Sequence, residues 1–300
     1  MFKRISLFML TNIAVMVMVT IILQVFGIEP YLQANGINYT SLMIMCGVFG
    51  MVGSFISLSI SKWSAKRMMG LHIIADNDPN YSGLVNTIHR LSKAANLPKM
   101  PEVGIYESQE VNAFATGPSK SNSLVAVSTG LLNGMSGDEV EGVLAHEVSH
   151  IANGDMVTMA LVQGVINAFV MFFAHIAVML IDNFISGDDD DGGQGLGFFA
   201  RFALISLFQM IFGFLGMFVV AFFSRYREYR ADSGAASLAG RDKMIGALKS
   251  LQAQYENGVF DKDTKEMNSM KITSKNGIME LLSTHPKLSD RIKALEMNAK

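Results

Sequence analysis

Four long apolar runs constrain this chain more than any other feature. They extend from about Ile5 to Phe26, Ser41 to Ile60, Val157 to Ile181 and Phe202 to Phe223, and each approaches or exceeds the roughly 20 residues a helix needs to cross a hydrocarbon core. Between and beyond them the sequence reverts to soluble patterning. Half of the 300 residues are hydrophobic and 17% are charged, too oily for a wholly soluble domain and too charged for a pure membrane bundle. The expected class is a mainly α integral membrane protein with four transmembrane helices. A water-exposed α/β part with a small sheet accompanies them.

Basic residues give the orientation. Lys3 and Arg4 precede the first run; it is too long for a signal h-region, and "GIEPYLQANG" offers no convincing small-residue cleavage site, so it reads as a retained anchor. Lys62, Lys66 and Arg67 follow the second run, and Arg225, Arg227 and Arg230 follow the fourth. The loop "GIEPYLQANGINYT" has no Lys or Arg. The loop "DNFISGDDDDGGQG" is acidic and glycine-rich, with Arg201 only at its far end, and reads as a solvated turn. The positive-inside rule then puts both termini, residues 62–156 and residues 224–300 in the cytoplasm. The expected layout is a hairpin over 1–61, soluble chain over 62–156, a second hairpin over 157–223 and soluble chain over 224–300. Gln163, Asn167 and His175 interrupt the third run and are costly against lipid. They are expected to face other helices or a wet cavity, and the second hairpin crosses either fully or in part.

The formal net charge of −2 argues against a nucleic-acid partner. The single cysteine, Cys46, excludes both an internal disulfide framework and a cysteine-ligated metal, and suits a reducing compartment. In the soluble part "TIHRLSKAANL" has helical spacing, "EVGIYES" alternates like a strand, and "NSLVAVSTGLL" reads as a strand entering a glycine-marked turn. "SGDEVEGVLAHEVSHIANGD" is the clearest soluble helix. Ser136 and Glu139 have capping-box spacing, and Gly154 is placed to stop the helix.

On that helix His146 and His150 are four residues apart, so both rings project from one face and can grip one ion. Neutral imidazole suits zinc, and a catalytic zinc site uses three protein ligands and one water. Glu147 is offset from the ligand pair, where it can take a proton from the metal-activated water as that water attacks a carbonyl. In "SRYREYRADSGAA", Glu228 and Asp232 are again four apart. Glu228 would complete a His–His–Glu set, and Asp232 would accept the free ring N–H of a ligating histidine. The plain alternative is a solvated, charged helix end. In "STHPKLSDRI", His285 could hydrogen-bond a developing oxyanion with Arg291 in support; a capping segment before a last amphipathic helix fits the spacing equally. His72 and His89 lack metal spacing, and His175 sits mid-run as a helix-contact residue.

Taken together, the anchoring hairpin, "HEVSHIANGD", the second hairpin, "REYRAD" and the closing "THP" resemble the HtpX family of bacterial membrane-bound zinc metalloproteases, related to the CAAX prenyl-protease type of enzyme. The resemblance covers essentially the whole chain. It implies a cytosolic zincin-type protease domain with one Zn2+ held by His146, His150 and Glu228, and Glu147 as general base. Asp232 would support His146, and His285 and Arg291 would assist the transition state. It also implies that "VNAFATG" is an edge strand beside the metal, making Asn112, Ala113, Phe114 and Ala115 candidate substrate contacts, since an unpaired edge can hold an extended peptide by main-chain hydrogen bonds. The ordinary alternative there is an internal strand. The implied role is cytoplasmic-side cleavage of misfolded or damaged membrane proteins in the inner membrane under stress.

Two other classes compete. A non-catalytic membrane scaffold with a structural zinc has no need of a base at Glu147. A transporter would work through Gln163, Asn167 and His175, yet the ionisable cluster lies outside the apolar runs.

Overall fold

The computed structural model describes residues 38–75, 77–186, 196–256 and 282–297. The first apolar run lies outside them. The other three form helices α1 (Tyr39–Met68), α5 (Asp155–Ser186) and α6 (Phe198–Ala239), each long and apolar enough to cross a membrane. All three outrun their apolar segments. Extension is cheap because backbone hydrogen bonding continues wherever no Pro or αL glycine interrupts it.

The chain divides into two compact units, Met1–Phe55 with Ala160–Met217, and Ile56–Met159 with Phe218–Lys300. In the described part of the first unit, α1 and α5 touch where Gly50 meets the backbone of Gly164 and Ala168; a Cβ at Gly50 would lie 2.6 Å from the Ala168 nitrogen. Cys46, Phe172 and Ile176 close the small core beside that contact. The polar residues that interrupt the apolar run of α5 bond within the helix. The Gln163 amide donates to Asn167 Oδ1 at 2.8 Å, and His175 Nδ1 lies 2.7 Å from the Met171 carbonyl. Each is an i to i+4 pair along one helix, a local means of lowering the cost of a polar group facing lipid.

The second unit holds the α/β part: β1 (His72–Ile73), α2 (Ser82–Ala94), β2 (Glu102–Tyr106), β3 (Ala113–Ser119), β4 (Asn122–Ser128), α3 (Thr129–Gly134), α4 (Gly137–Asn153), α7 (Arg241–Glu256) and α8 (Leu288–Met297). The four strands form one mixed sheet in the order β1-β2-β4-β3, with β2 parallel to β4 and the other pairs antiparallel. The "STGLL" stretch is a short helix rather than a glycine turn, because the Ser128 hydroxyl accepts from the Leu131 N–H and caps it. Val125 and Val127 of β4, Val85 and Ile88 of α2, Leu144 and Val148 of α4, Leu248 of α7 and Leu295 of α8 share one core. With α4 wedged among these elements, Val143 to Ile151 are all buried. Its histidines are thereby fixed at both backbone and ring.

Candidate metal centre

Helix α4 begins with a complete capping box, Ser136 bonding the Glu139 N–H and Glu139 bonding the Ser136 N–H. It ends at Gly154, whose φ of 70° lies in the left-handed region that glycine enters without steric cost. Within it His146 and His150 are one turn apart, their Nε2 atoms 3.1 Å from one another. Helix α6 brings up Glu228. Its Oε2 lies 3.3 Å from His146 Nε2 and its Oε1 lies 3.4 Å from His150 Nε2. This approach depends on a narrow contact at Gly234, where a Cβ would stand 2.7 Å from Ser149 Oγ.

Three candidate ligand atoms from His146, His150 and Glu228 therefore lie within 4.8 Å of one another, all buried. Bonds of 2.0–2.1 Å in a tetrahedron imply ligand–ligand edges of about 3.3 Å, close to the distances found. The outer ring nitrogens sharpen the fit. His146 Nδ1 is 2.9 Å from Asp232 Oδ1, and His150 Nδ1 is 2.7 Å from Asp155 Oδ2. Each carboxylate accepts an Nδ1–H, so in the neutral rings both Nε2 lone pairs face each other and a carboxylate that is 1% exposed. Such an arrangement repels itself unless a cation or protons occupy its centre.

Protonation follows the same logic. Burial pulls the His146 pKa down, but the hydrogen bonds of Asp232 and Glu228 prevail and raise it to about 9. Burial and then the His146 charge lower that of His150, yet Asp155 and Glu228 carry it upward. Burial disfavours the Glu228 anion, but bonds from His146, His150 and His285 hold its pKa well below the ordinary value. His146 and His150 lie on α4, outside the candidate membrane helices, and Glu228 lies beyond the apolar part of α6; a metal would compete with protons for the same lone pairs.

The remaining predicted residues are placed as follows. Glu147 is buried on α4 beside His146, and its charge acts on His150 and Arg291. His285, half-buried, sits with Nδ1 3.1 Å from Glu228 Oε2; Ser283 steadies it by donating to the His285 carbonyl, and Arg225 donates to Ser283 O. Arg291 is buried and forks onto Asp232, Nε at 2.8 Å from Oδ2 and Nη2 at 2.5 Å from Oδ1. The sequence reading set Arg291 in support of an oxyanion. A buried guanidinium needs a paired anion, and the bidentate match with Asp232 supplies one.

Strand β3 pairs with β4 and ends the sheet. Asn112 precedes the strand, and its main chain is already engaged: the carbonyl accepts from Ser128 N and the N–H donates to Ser128 Oγ. Alternation along an antiparallel pair then turns the main chain of Phe114 toward β4 and that of Ala113 and Ala115 toward the open edge. Asp155 had no role in the sequence reading although it closes "HEVSHIANGD". An acid one step past a helix-stopping glycine reads as an N-terminal charge; only the αL turn shows that it folds back onto His150.

Residues 81–299 match the family model described as Peptidase family M48. The chain belongs to peptidase family M48. Among curated relatives, Protease HtpX of Shewanella denitrificans is 48% identical over 98% of this chain and 99% of its own length. Protease HtpX of Shewanella oneidensis is 49% identical with the same coverage. The fold is also similar to that of the crystal structure of S. mikatae Ste24p, with a TM-score of 0.59 at 20% identity. That alignment covers 92% of this chain and 63% of the other, so this chain spans less than two thirds of that protein's length. As an M48 member with three candidate membrane helices among its described residues, the protein is a membrane metalloprotease.

Proposed function

We propose that the chain is a zinc-dependent endopeptidase that cuts misfolded or damaged membrane proteins on the cytoplasmic side of a bacterial inner membrane. The observation that carries this reading is the convergence of His146 Nε2, His150 Nε2 and the Glu228 carboxylate in one buried cluster. The imidazole-rich donor set suits zinc over magnesium or calcium, which favour all-oxygen cages. Zinc held there supplies a Lewis acid and a bound water of lowered pKa.

The chain's own groups do the rest. Glu147, next to His146 but off the ligand face, accepts the proton of the attacking water and returns it to the leaving amine. His285 offers a hydrogen bond to the developing oxyanion. Asp232 fixes the His146 tautomer, and Arg291 holds Asp232 in turn. An extended substrate lies along β3, bonding the outward main chain of Ala113 and Ala115, so cleavage depends little on side-chain sequence. That tolerance suits a protease of damaged chains. The cytoplasmic placement rests on Lys62, Lys66, Arg67, Arg225, Arg227 and Arg230 flanking the apolar runs.

Glu147→Gln tests the mechanism. The variant should retain stoichiometric zinc by metal analysis while losing cleavage of an unfolded membrane-protein substrate. Undiminished proteolysis would reject Glu147 as the base.

A further inference from the structure

The two histidines of the cluster are backed by carboxylates in different electrostatic situations. Asp232, behind His146, shares its charge with the Arg291 fork. Glu228 is approached by Arg227 at 3.3 Å and by Arg291 at 3.6 Å. Asp155, behind His150, is 4% exposed and among the described residues has no guanidinium or ammonium partner; its side chain meets only the His150 Nδ1, at 2.7 Å. A buried carboxylate with one neutral donor is costly to keep. It becomes favourable when the ring it holds carries positive charge, as an imidazole does on ligating a divalent cation.

We infer that Asp155 is a positioning residue for the metal centre: it locks His150 with Nε2 inward and supplies the undiluted negative charge that strengthens that ligand. Its place in the chain makes this possible. Gly154 ends α4 in the αL conformation, and Asp155 opens α5 one residue later, so its side chain reaches back to a ring five positions earlier. Asp155 is thus a second anchor of the His150 ring, independent of the helix that carries the ring. Because Arg291 already draws on the Asp232 charge, losing Asp155 should weaken the metal more than losing Asp232. The competing account is that Asp155 merely complements the dipole of α5, as acids at helix starts do. Then it would matter for folding and leave the metal indifferent.

This inference rests on the ligand set proposed above, and the test separates the two. Zinc affinity of the full-length, detergent-solubilised protein is measured by competition with a chromophoric chelator, alongside thermal melting of the metal-free form. Asp155→Ala should weaken zinc by roughly ten- to a hundredfold, more than its lowering of the metal-free melting temperature accounts for. Asp155→Asn, whose amide oxygen still accepts from Nδ1, should recover most of the orientation but not the charge, and fall between. Asp232→Ala should lose less zinc affinity than Asp155→Ala. Wild-type zinc affinity in Asp155→Ala, or a metal-free melting loss that accounts for the whole effect, overturns the inference. Glu228→Ala is the companion arm: if it too keeps zinc, the ligand set itself is wrong; if it loses zinc while Asp155→Ala does not, only the role of Asp155 falls.

Discussion

Arg291, set by the sequence in support of an oxyanion, is buried, which nothing in "THPKLSDRI" reveals. Its Nε and Nη2 fork onto Asp232, while its Nη1 lies 3.6 Å from Glu228 Oε2. Removing one partner of a buried ion pair strands the other, at a cost of about 3–5 kcal/mol. Arg291→Ala should therefore lower the melting temperature of the metal-free protein, and Arg291→Lys should restore only a fraction, because an ammonium cannot present a planar fork. Differential scanning fluorimetry in chelator checks both. The histidines make a separate prediction. His146 has a folded pKa raised to about 9 against an unfolded value near 6.5. Its proton thus stabilises the metal-free fold fully below about pH 6.5, and that contribution is lost as pH rises through about 9. Zinc must displace the same proton. Between pH 6.5 and 9 zinc should therefore release at least one proton per site, its apparent affinity should rise with pH, and so should the melting shift it causes. Calorimetric titrations in buffers of different ionisation enthalpy would count the protons; no release at pH 7.5 would contradict the assignment.

At the scale of elements, legibility varied with how local the cause was. The capping box at Ser136, the αL stop at Gly154, the strand over "EVGIY" and the HExxH face are written in neighbouring residues, and they appear where the pattern puts them. Glu228 was reachable because its four-residue spacing to Asp232 repeats that of the histidines. The partnership of Asp155 with His150, the engaged main chain of Asn112 and the closeness of α6 to α4 depend on turns and on packing across distant segments. No period or motif encodes those. The α6–α4 approach is the clearest case, for it hinges on Gly234 lying against Ser149. A methyl at 234 would sit 2.7 Å from Ser149 Oγ and 2.9 Å from its Cβ, well inside contact distance. Gly234→Ala should push α6 away, lengthen the reach from Glu228 to both imidazoles and weaken zinc by an order of magnitude or so, in line with the cost of disturbing ligand support. Ser149→Gly removes both crowded atoms, so the double variant should regain much of the lost affinity despite the helix penalty of about 1 kcal/mol for an added glycine. Equal affinities for Gly234→Ala and wild type would show that the contact has slack.

For the whole molecule, helices α5 and α6 are each continuous from an apolar stretch into chain that bears the metal cluster, Asp155 opening one and Glu228 lying beyond the apolar part of the other. Whichever side of the bilayer receives the basic residues beyond the apolar parts of α1 and α6 also receives the proposed catalytic groups. The charge bias is strong at those ends. Across the α5–α6 connection Arg201 is the lone basic residue and is bound to the Asp182 carboxylate, so it weighs little against that bias. A single-cysteine series measures the outcome. With the buried Cys46 replaced by alanine, a cysteine at Gly197, ahead of α6, should react with a membrane-impermeant maleimide added to intact inverted vesicles only after lysis. A cysteine at Gly240, just past α6, should react at once. The opposite labelling would place the cluster outside the cytoplasm. The substrate side would then change as well, since Ala113, Ala115 and the metal centre share one compact unit with Gly240.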